Sequence, residues 1–495
     1  MSRLNKLSTD VLVVGAGPSG LALAAELRVQ GLSVIIIDRA EKAMKESRAL
    51  GLTIGALEHL LSRGQIEKFG DLRGRDAVHF AGFPLSTEGI TSDLSPAIEI
   101  PQYRTEEVLN KWLEELGGSV TRGWELIEFS QDEDHVISVL SDGGQDPIEV
   151  TSKFIVGCDG AKSAVRAKAG LDFKVSTPSV QMLLGDFLET DLPDNPFGKR
   201  TDRGMVMSGP IGNGAVRVIV AEFGAPLLER GKNLSGEEIT AAYKRVLGEE
   251  FTWGSLHWGS SFTDASGMAE QLVKGRVALI GDAAHVHLPA GGQGMNVSIL
   301  DAANLGWRLA LATQTDSLFP LQDFEEERQQ VAKELITNTQ AQGQLFLRGA
   351  EVDSLRKVIA DFLKEPYSAR NLARSVSSLD SYRAFEYSPN DEAIGRRALS
   401  GVFPGIPNEI KRSGLQKGGQ WVFVTTREPD HEQKLTLEQF GISEFSTSSI
   451  SCETEKDQVN RNAVLLRPDG VIAWTDESEI TLDAAFTYWT NRNNH

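Results

Sequence analysis

Residues 10–38 read DVLVVGAGPSGLALAAELRVQGLSVIIID, and this stretch decides the fold class. Val11–Val14 is a short apolar run suited to a strand buried on both faces. It enters Gly15-Ala16-Gly17-Pro18-Ser19-Gly20 and then an Ala/Leu-rich helix ending near Gly31. A second buried strand, Val34–Ile37, closes a βαβ unit and ends in Asp38. Gly15 permits the tight turn, Gly17 lets backbone approach a pyrophosphate, and Gly20 lets helix and strand pack closely. The helix N-terminus offers N–H groups and a positive dipole end to phosphates. Asp38 stands about 20 residues on, where an acid accepts from a ribose 2′-OH. Such an acid disfavours a 2′-phosphate, so FAD or NAD fits better than NADP. Arg39 follows it as a further cofactor-binding candidate. Alone, the motif does not separate a dehydrogenase from a flavoenzyme.

The 495 residues suffice for two or three domains. The composition, 40% hydrophobic and 24% charged, is that of a soluble globular protein. Fifty Lys and Arg against 69 Asp and Glu leave a net charge of −19, which argues against nucleic-acid or anionic-membrane partners. Cys158 and Cys452 are the two cysteines and lie far apart, so neither a disulfide framework nor a zinc site is expected. The reducing cytoplasm is the expected compartment. Val11–Val14 is stopped at once by Gly15, so no signal peptide is expected, and no segment is long and apolar enough to span a bilayer.

Two later segments repeat the pattern of an apolar strand delivering small and acidic residues. Residues 154–166, FIVGCDGAKSAVR, run into Asp159-Gly160 and then a helix with Ser163 and Arg166. Residues 275–296, GRVALIGDAAHVHLPAGGQGMN, bring Gly281-Asp282 to the carboxyl end of the strand Val277–Ile280, where ligands sit in open α/β sheets. A helix follows Gly291-Gly292-Gln293-Gly294-Met295-Asn296, with Ile299, Ala302, Ala303, Gly306 and Leu309 on one packed face. Its N-terminal N–H groups suit negative charge developing on a flavin ring. In isolation Asp282 reads equally as a helix N-cap, and Asp159 as a turn residue. His285 and His287 alternate and lack a carboxylate–cysteine cluster, so packing or loop hydrogen bonds are expected of them and no metal.

These segments resemble the class A flavoprotein monooxygenases, the group of p-hydroxybenzoate hydroxylase, and within it the aromatic polyketide and rifampicin hydroxylases. RALGL at 48–52 and PQYRTE at 101–106 are similar to two more signatures of that family. The resemblance implies FAD, contacted by Gly15, Gly17, Gly20, Asp38, Arg39, Arg48, Gln102, Asp159, Gly160, Asp282, Gly294, Met295 and Asn296. It places Pro289 and Gly292 beside the flavin ring and assigns no acid–base residue. No second GxGxxG in strand context follows the first, matching a family in which NADPH or NADH docks transiently. The implied reaction is hydroxylation of an aromatic or polycyclic molecule by O2 through a C4a-hydroperoxyflavin. Baeyer–Villiger insertion on the same scaffold, or a non-catalytic flavin or small-molecule-binding protein, stays open.

The expected architecture is α/β: a Rossmann-like FAD-binding domain (1–70, 105–175 and 265–390) interleaved with a β-sheet substrate domain (71–104 and 176–264). The sheet is expected to include the stretch near Val78–Phe83. Met182, Leu184, Val218 and Val220, with Met205 and Met207, are substrate candidates that read equally as sheet core. Arg217 and Arg383 are polar candidates. Pro404, Gly405 and Pro407 mark a linker-like region. Beyond it LLRPDGVIAW at 465–474 reads as a hairpin turned at Asp-Gly. It resembles the thioredoxin-like C-terminal domain (391–495) of the larger hydroxylases, here without a CxxC. The chain is expected to be a monomer or homodimer. A flavin halogenase would carry WxWxIP, which WGSLHW at 253–258 does not match.

Overall fold

The computed structural model describes residues 6–47, 49–70, 73–90, 92–144, 146–212, 214–229, 234–379, 388, 390–453 and 458–490. Arg48 and Arg383 lie outside the described residues.

The βαβ stretch forms the centre of a mostly parallel sheet. Its order runs Val273–Lys274, Val277–Leu279, Ile148–Gly157, Lys6–Val14, Val34–Asp38, Val120–Arg122, with Glu125–Gln131 and Val136–Ser141 continuing antiparallel from Ile148–Gly157. Val11, Leu12 and Val13 are wholly buried, as strands covered on both faces must be. Register aligns the carboxyl ends: Val14 pairs with Ile37 on one side and Gly157 on the other, and Gly157 pairs with Leu279. All three motifs therefore leave the sheet at one edge.

On that sheet the helix Pro18–Val29 packs against the helix Gln293–Thr315. A Cβ on Gly306 would lie 2.7 Å from Cβ of Glu26, so glycine sets how closely these helices approach.

A second, five-stranded antiparallel sheet has the order Asn195–Arg200, Gly204–Gly212, Ala215–Glu222, Gln181–Leu188, Leu256–Thr263. The helix Gly236–Leu247 covers one face, opened by a capping box in which Ser235 accepts from the Glu238 backbone and Glu238 accepts in return. Val78–Phe83 does not join this sheet, contrary to expectation. Ala77–Phe80 pairs with Phe83–Ser86 across Ala81 and Gly82, both at positive φ (50° and 82°). That two-residue turn closes the stretch on itself as a separate hairpin.

The C-terminal part holds a four-stranded sheet ordered Ser443–Ser446, Val422–Thr425, Ala463–Leu466, Ile472–Thr475, with helices His431–Phe440 and Leu482–Thr490. The Asp469-Gly470 hairpin is present, with Gly470 at φ 84°. Its tip is buried, with Arg467 and Asp469 at 0% and 1% exposure.

Candidate cofactor and substrate site

Each glycine at the strand edge has a measurable reason. A Cβ on Gly15 (φ 103°) would stand 2.4 Å from the Cys158 carbonyl oxygen, and one on Gly20 would stand 1.8 Å from the Gly15 oxygen. These two glycines let the loop close on the neighbouring strand. Gly17, Gly160 and Gly292 differ: a Cβ there would meet nothing within 4 Å. They border open space at the end of the sheet. That is a cradle a ligand backbone can enter.

Acids brace the same edge. Asp38 Oδ2 accepts from the Ala16 N–H at 2.7 Å, and its Oδ1 accepts from Ala40 at 2.8 Å, so the acid holds the glycine loop. Exposed Arg39 follows it. Gln102 begins the helix Gln102–Glu115 and donates to Glu106 Oε1 at 2.8 Å. Burial raises the Glu106 carboxyl above the usual range, and Asp38 adds to the rise. Glu106 was overlooked in the sequence, although it stands one helical turn beyond Gln102.

Asp159 Oδ2 accepts from the backbone of Ala164 at 2.6 Å and Val165 at 3.1 Å, the first N–H groups of the helix Ala164–Lys168 whose N-cap is Ser163. The other Asp159 oxygen is buried without a partner. An orphaned carboxylate oxygen beside the open space at Gly160 fits a ligand hydroxyl. Arg166 joins the motifs, donating to the carbonyls of Ala161 and Ala283 at 2.7 Å each. Asp282 is exposed in the short 3-10 turn Gly281–Ala283. Asp301, another residue overlooked in the sequence, holds that turn by accepting from Gly281 N–H at 3.1 Å. His285 Nε2 lies 2.8 Å from the same oxygen, and Arg328 Nε donates to the other at 2.6 Å. Arg328, His285 and Gly281 hold the Asp301 carboxyl down at about 2 against its burial.

Exposed Pro289 leads into Gly291 and Gly292, both at positive φ, and then the helix Gln293–Thr315, whose Ncap makes no side-chain bond. Its first turn carries no acid, which leaves the dipole end uncompensated. Gly294 faces His287: a Cβ there would lie 3.1 Å from Nε2. Burial and nearby His285 push the His287 imidazole down to about 4, and its Nδ1 lies 2.8 Å from the Leu288 carbonyl. Met295 and Asn296 are buried. The Asn296 amide is engaged within the protein, accepting from Thr53 N at 2.8 Å and donating to Gly292 O at 2.8 Å.

Strand alternation divides the substrate candidates. Met182, Met205 and Ala221 pack with Val78, Phe80 and Leu288, beside the Pro289 loop. Leu184 pairs with Ile219 and Ser260 on that same face. Val218 and Val220 point the other way and pack with Ile239, Tyr243 and Val246 under the helix Gly236–Leu247. Arg217 is buried in a two-pronged pair with Asp186, at 2.7 and 2.8 Å.

Residues 8–339 match the family described as FAD binding domain. The chain belongs to this FAD-binding family of flavoprotein monooxygenases. The rifampicin monooxygenase of Rhodococcus hoagii is 31% identical over 510 residues, spanning 98% of each chain. The crystal structure of CabE, an aromatic hydroxylase from angucycline biosynthesis, superposes with a TM-score of 0.86 at 34% identity, covering 97% of this chain and 99% of that one. The dialkyldecalin synthase of Streptomyces rugosporus is 30% identical over 489 residues, 98% of this chain and 99% of that protein. This flavoprotein is an enzyme, and among its described residues no helix is long and apolar enough to cross a membrane.

Proposed function

We propose that the chain is an FAD-dependent monooxygenase that uses NADH or NADPH and O2 to hydroxylate an aromatic or polyketide-like small molecule. One observation carries the reading. Gly15–Gly17, Asp38, Asp159-Gly160 and Gly281-Asp282 meet at the carboxyl edge of one parallel sheet, beside open space and an unpaired Asp159 oxygen. Gly15, Gly17 and Gly20 would shape the pyrophosphate cradle. Asp38, Arg39 and Gln102 would serve the nucleotide end, with Arg48 assigned there by the family resemblance alone, while Asp159, Gly160 and Asp282 would bind ribityl and phosphate oxygens. Bound FAD would supply hydride acceptance from the nicotinamide and activation of O2. Around the ring, Pro289 and Gly292 would set position, and the backbone of Gly294, Met295 and Asn296 would offer N–H groups to developing negative charge. The face carrying Met182 and Leu184 would seat the substrate and exclude water.

A three-part division follows: an FAD-binding part (1–70, 105–175, 265–390), a substrate part (71–104, 176–264) and a thioredoxin-like C-terminal part (391–495). The last would be structural, because burial pushes the Cys452 thiol up to about 12 and a thiolate is the reactive form. A cytoplasmic monomer or homodimer without nucleic-acid or membrane partners completes the proposal.

The test is cofactor turnover. FAD-loaded protein should oxidise NADH or NADPH faster when a phenolic polycycle is present, and the product should gain one oxygen. A ring-expanded lactone would indicate Baeyer–Villiger insertion instead. A flavoprotein that acts without nicotinamide would give a different outcome. In that case substrate is converted while NADH and NADPH stay untouched.

A further inference from the structure

A cavity of about 30 Å³ lies between the helices Gln293–Thr315, Phe319–Phe346 and Pro366–Val376, room for about one or two atoms of water or halide size. Arg328 lines it and is 3% exposed. Its Nε is committed to Asp301 Oδ1, and the other Asp301 oxygen is taken by Gly281 and His285. Arg328 Nη2 has no partner. The Ser378 hydroxyl, on a residue 8% exposed, also lines the cavity and also has none. Gln293 Nε2 reaches its two acceptors, Ala290 O and Asn338 Oδ1, only at 3.4 Å each, so the amide is loosely held.

The two groups left without partners at this wall, Arg328 Nη2 and the Ser378 hydroxyl, can both donate. Glu334 borders the cavity as well, but it is exposed and its Oε1 accepts from Gln330 at 3.0 Å. Ser375, whose Oγ accepts from Asn338 Nδ2 at 3.0 Å, and the apolar Val297, Leu300, Val331 and Leu335 complete the lining. A water molecule would accept from Arg328 Nη2 but bring no charge to the guanidinium. A compact acceptor with several lone pairs matches it better.

We propose that this cavity binds one small monovalent anion, of halide or formate size, between Arg328 Nη2 and the Ser378 hydroxyl. The guanidinium gains a charge-assisted partner that Asp301 does not supply. Drawing Gln293 towards the anion loosens its contact with Ala290, which links the site to the loop after Pro289. The inference stands on the packing of three helices and is independent of the cofactor reading.

Bromide is the probe, used on full-length protein against sodium gluconate at equal ionic strength. The thermal midpoint should rise saturably with bromide, by about 2 °C or more. Leu335→Phe fills the cavity from its apolar side and should abolish the rise. Val331→Leu serves if that variant does not fold. Crystals grown in bromide should show its anomalous peak in the cavity, in contact with Arg328 Nη2. Each of three results overturns the proposal: no bromide-specific rise, an equal rise in the filled variant, or water alone in the density. An anomalous peak without a solution shift, binding at crystal concentration only, overturns it too.

Discussion

Arg467, at the tip of the C-terminal hairpin, donates to both carboxylate oxygens of Glu327 on the helix Phe319–Phe346, at 3.0 Å each, and both side chains are buried. Arg308 donates to the same carboxylate at 2.8 Å, and Asp469 faces Arg467 from the turn. The hairpin tip is thereby fixed to the helix Gln293–Thr315 that begins at the cofactor loop. Arg63 adds a tie, donating to Glu26 on the first helix and to the Pro468 carbonyl.

Removing one member should leave buried charge uncompensated. Glu327→Ala is expected to cost about 3–5 kcal/mol, read as a lower midpoint in thermal or urea unfolding. A loss below about 1 kcal/mol would show that the pair behaves as if solvated.

Acid should destabilise the protein from one side. The carboxyls of Glu26 and Asp301 are held at about 2 in the fold, against ordinary values of 4.5 and 3.8. Their contribution is present above those ordinary values and lost as pH falls towards 2. His79 and His287 are pushed by burial from 6.5 to about 4, so the unfolded chain takes up protons first and they act in the same direction. Glu58 and Glu106, both raised by burial, oppose this. Stability should therefore decline from about pH 6.5 downwards, measurable as thermal midpoint against pH. A midpoint constant between pH 7 and 4 would contradict the burial of these histidines.

The glycines separate folding from binding. Gly20→Ala forces a Cβ against the Gly15 carbonyl and should destabilise the apoprotein. Gly17→Ala enters open space, so the apoprotein should keep its midpoint while FAD affinity falls about tenfold or more. Fluorescence titration with FAD beside apoprotein melting reads both. Equal losses of stability in the two variants would remove the distinction.

Exposed Asp282 offers a parallel contrast with Asp159. Asp282→Ala should weaken FAD retention. Asp159→Ala should weaken retention and also lower apoprotein stability, by about 1 kcal/mol, since it removes the acceptor for Ala164 and Val165. Unchanged FAD retention in Asp282→Ala would sink its ribityl assignment.

On the second sheet, Leu184→Ala should alter KM for substrate, whereas Val218→Ala should cost about 2 kcal/mol and leave KM alone. Steady-state kinetics with a converted substrate, set beside urea unfolding, would check the pair. A KM change confined to Val218→Ala would reverse the assignment of faces.

The strand-edge motifs were legible because their signals are local: a glycine that must turn, an acid at a strand end. The faces of the second sheet were not, since Met182, Leu184, Val218 and Val220 are all apolar and all buried. Alternation groups them, but only the helix Gly236–Leu247 decides which group is covered. Asp301 and Arg328 read as ordinary charges on helices, and nothing near them in sequence announces that both meet at Gly281. The hairpin at Asp469-Gly470 was legible as a turn, but nothing local in the sequence signals that its tip is buried. Glu327, the partner of Arg467, lies 140 residues away.

The central claim is best tested by reducing FAD-loaded protein anaerobically with NADH or NADPH in the presence of phenolic polycycles, then admitting ¹⁸O2. The account predicts that the flavin absorbance bleaches, returns with oxygen, and leaves one ¹⁸O atom in the product. A flavin that stays oxidised while substrate is still converted would contradict it.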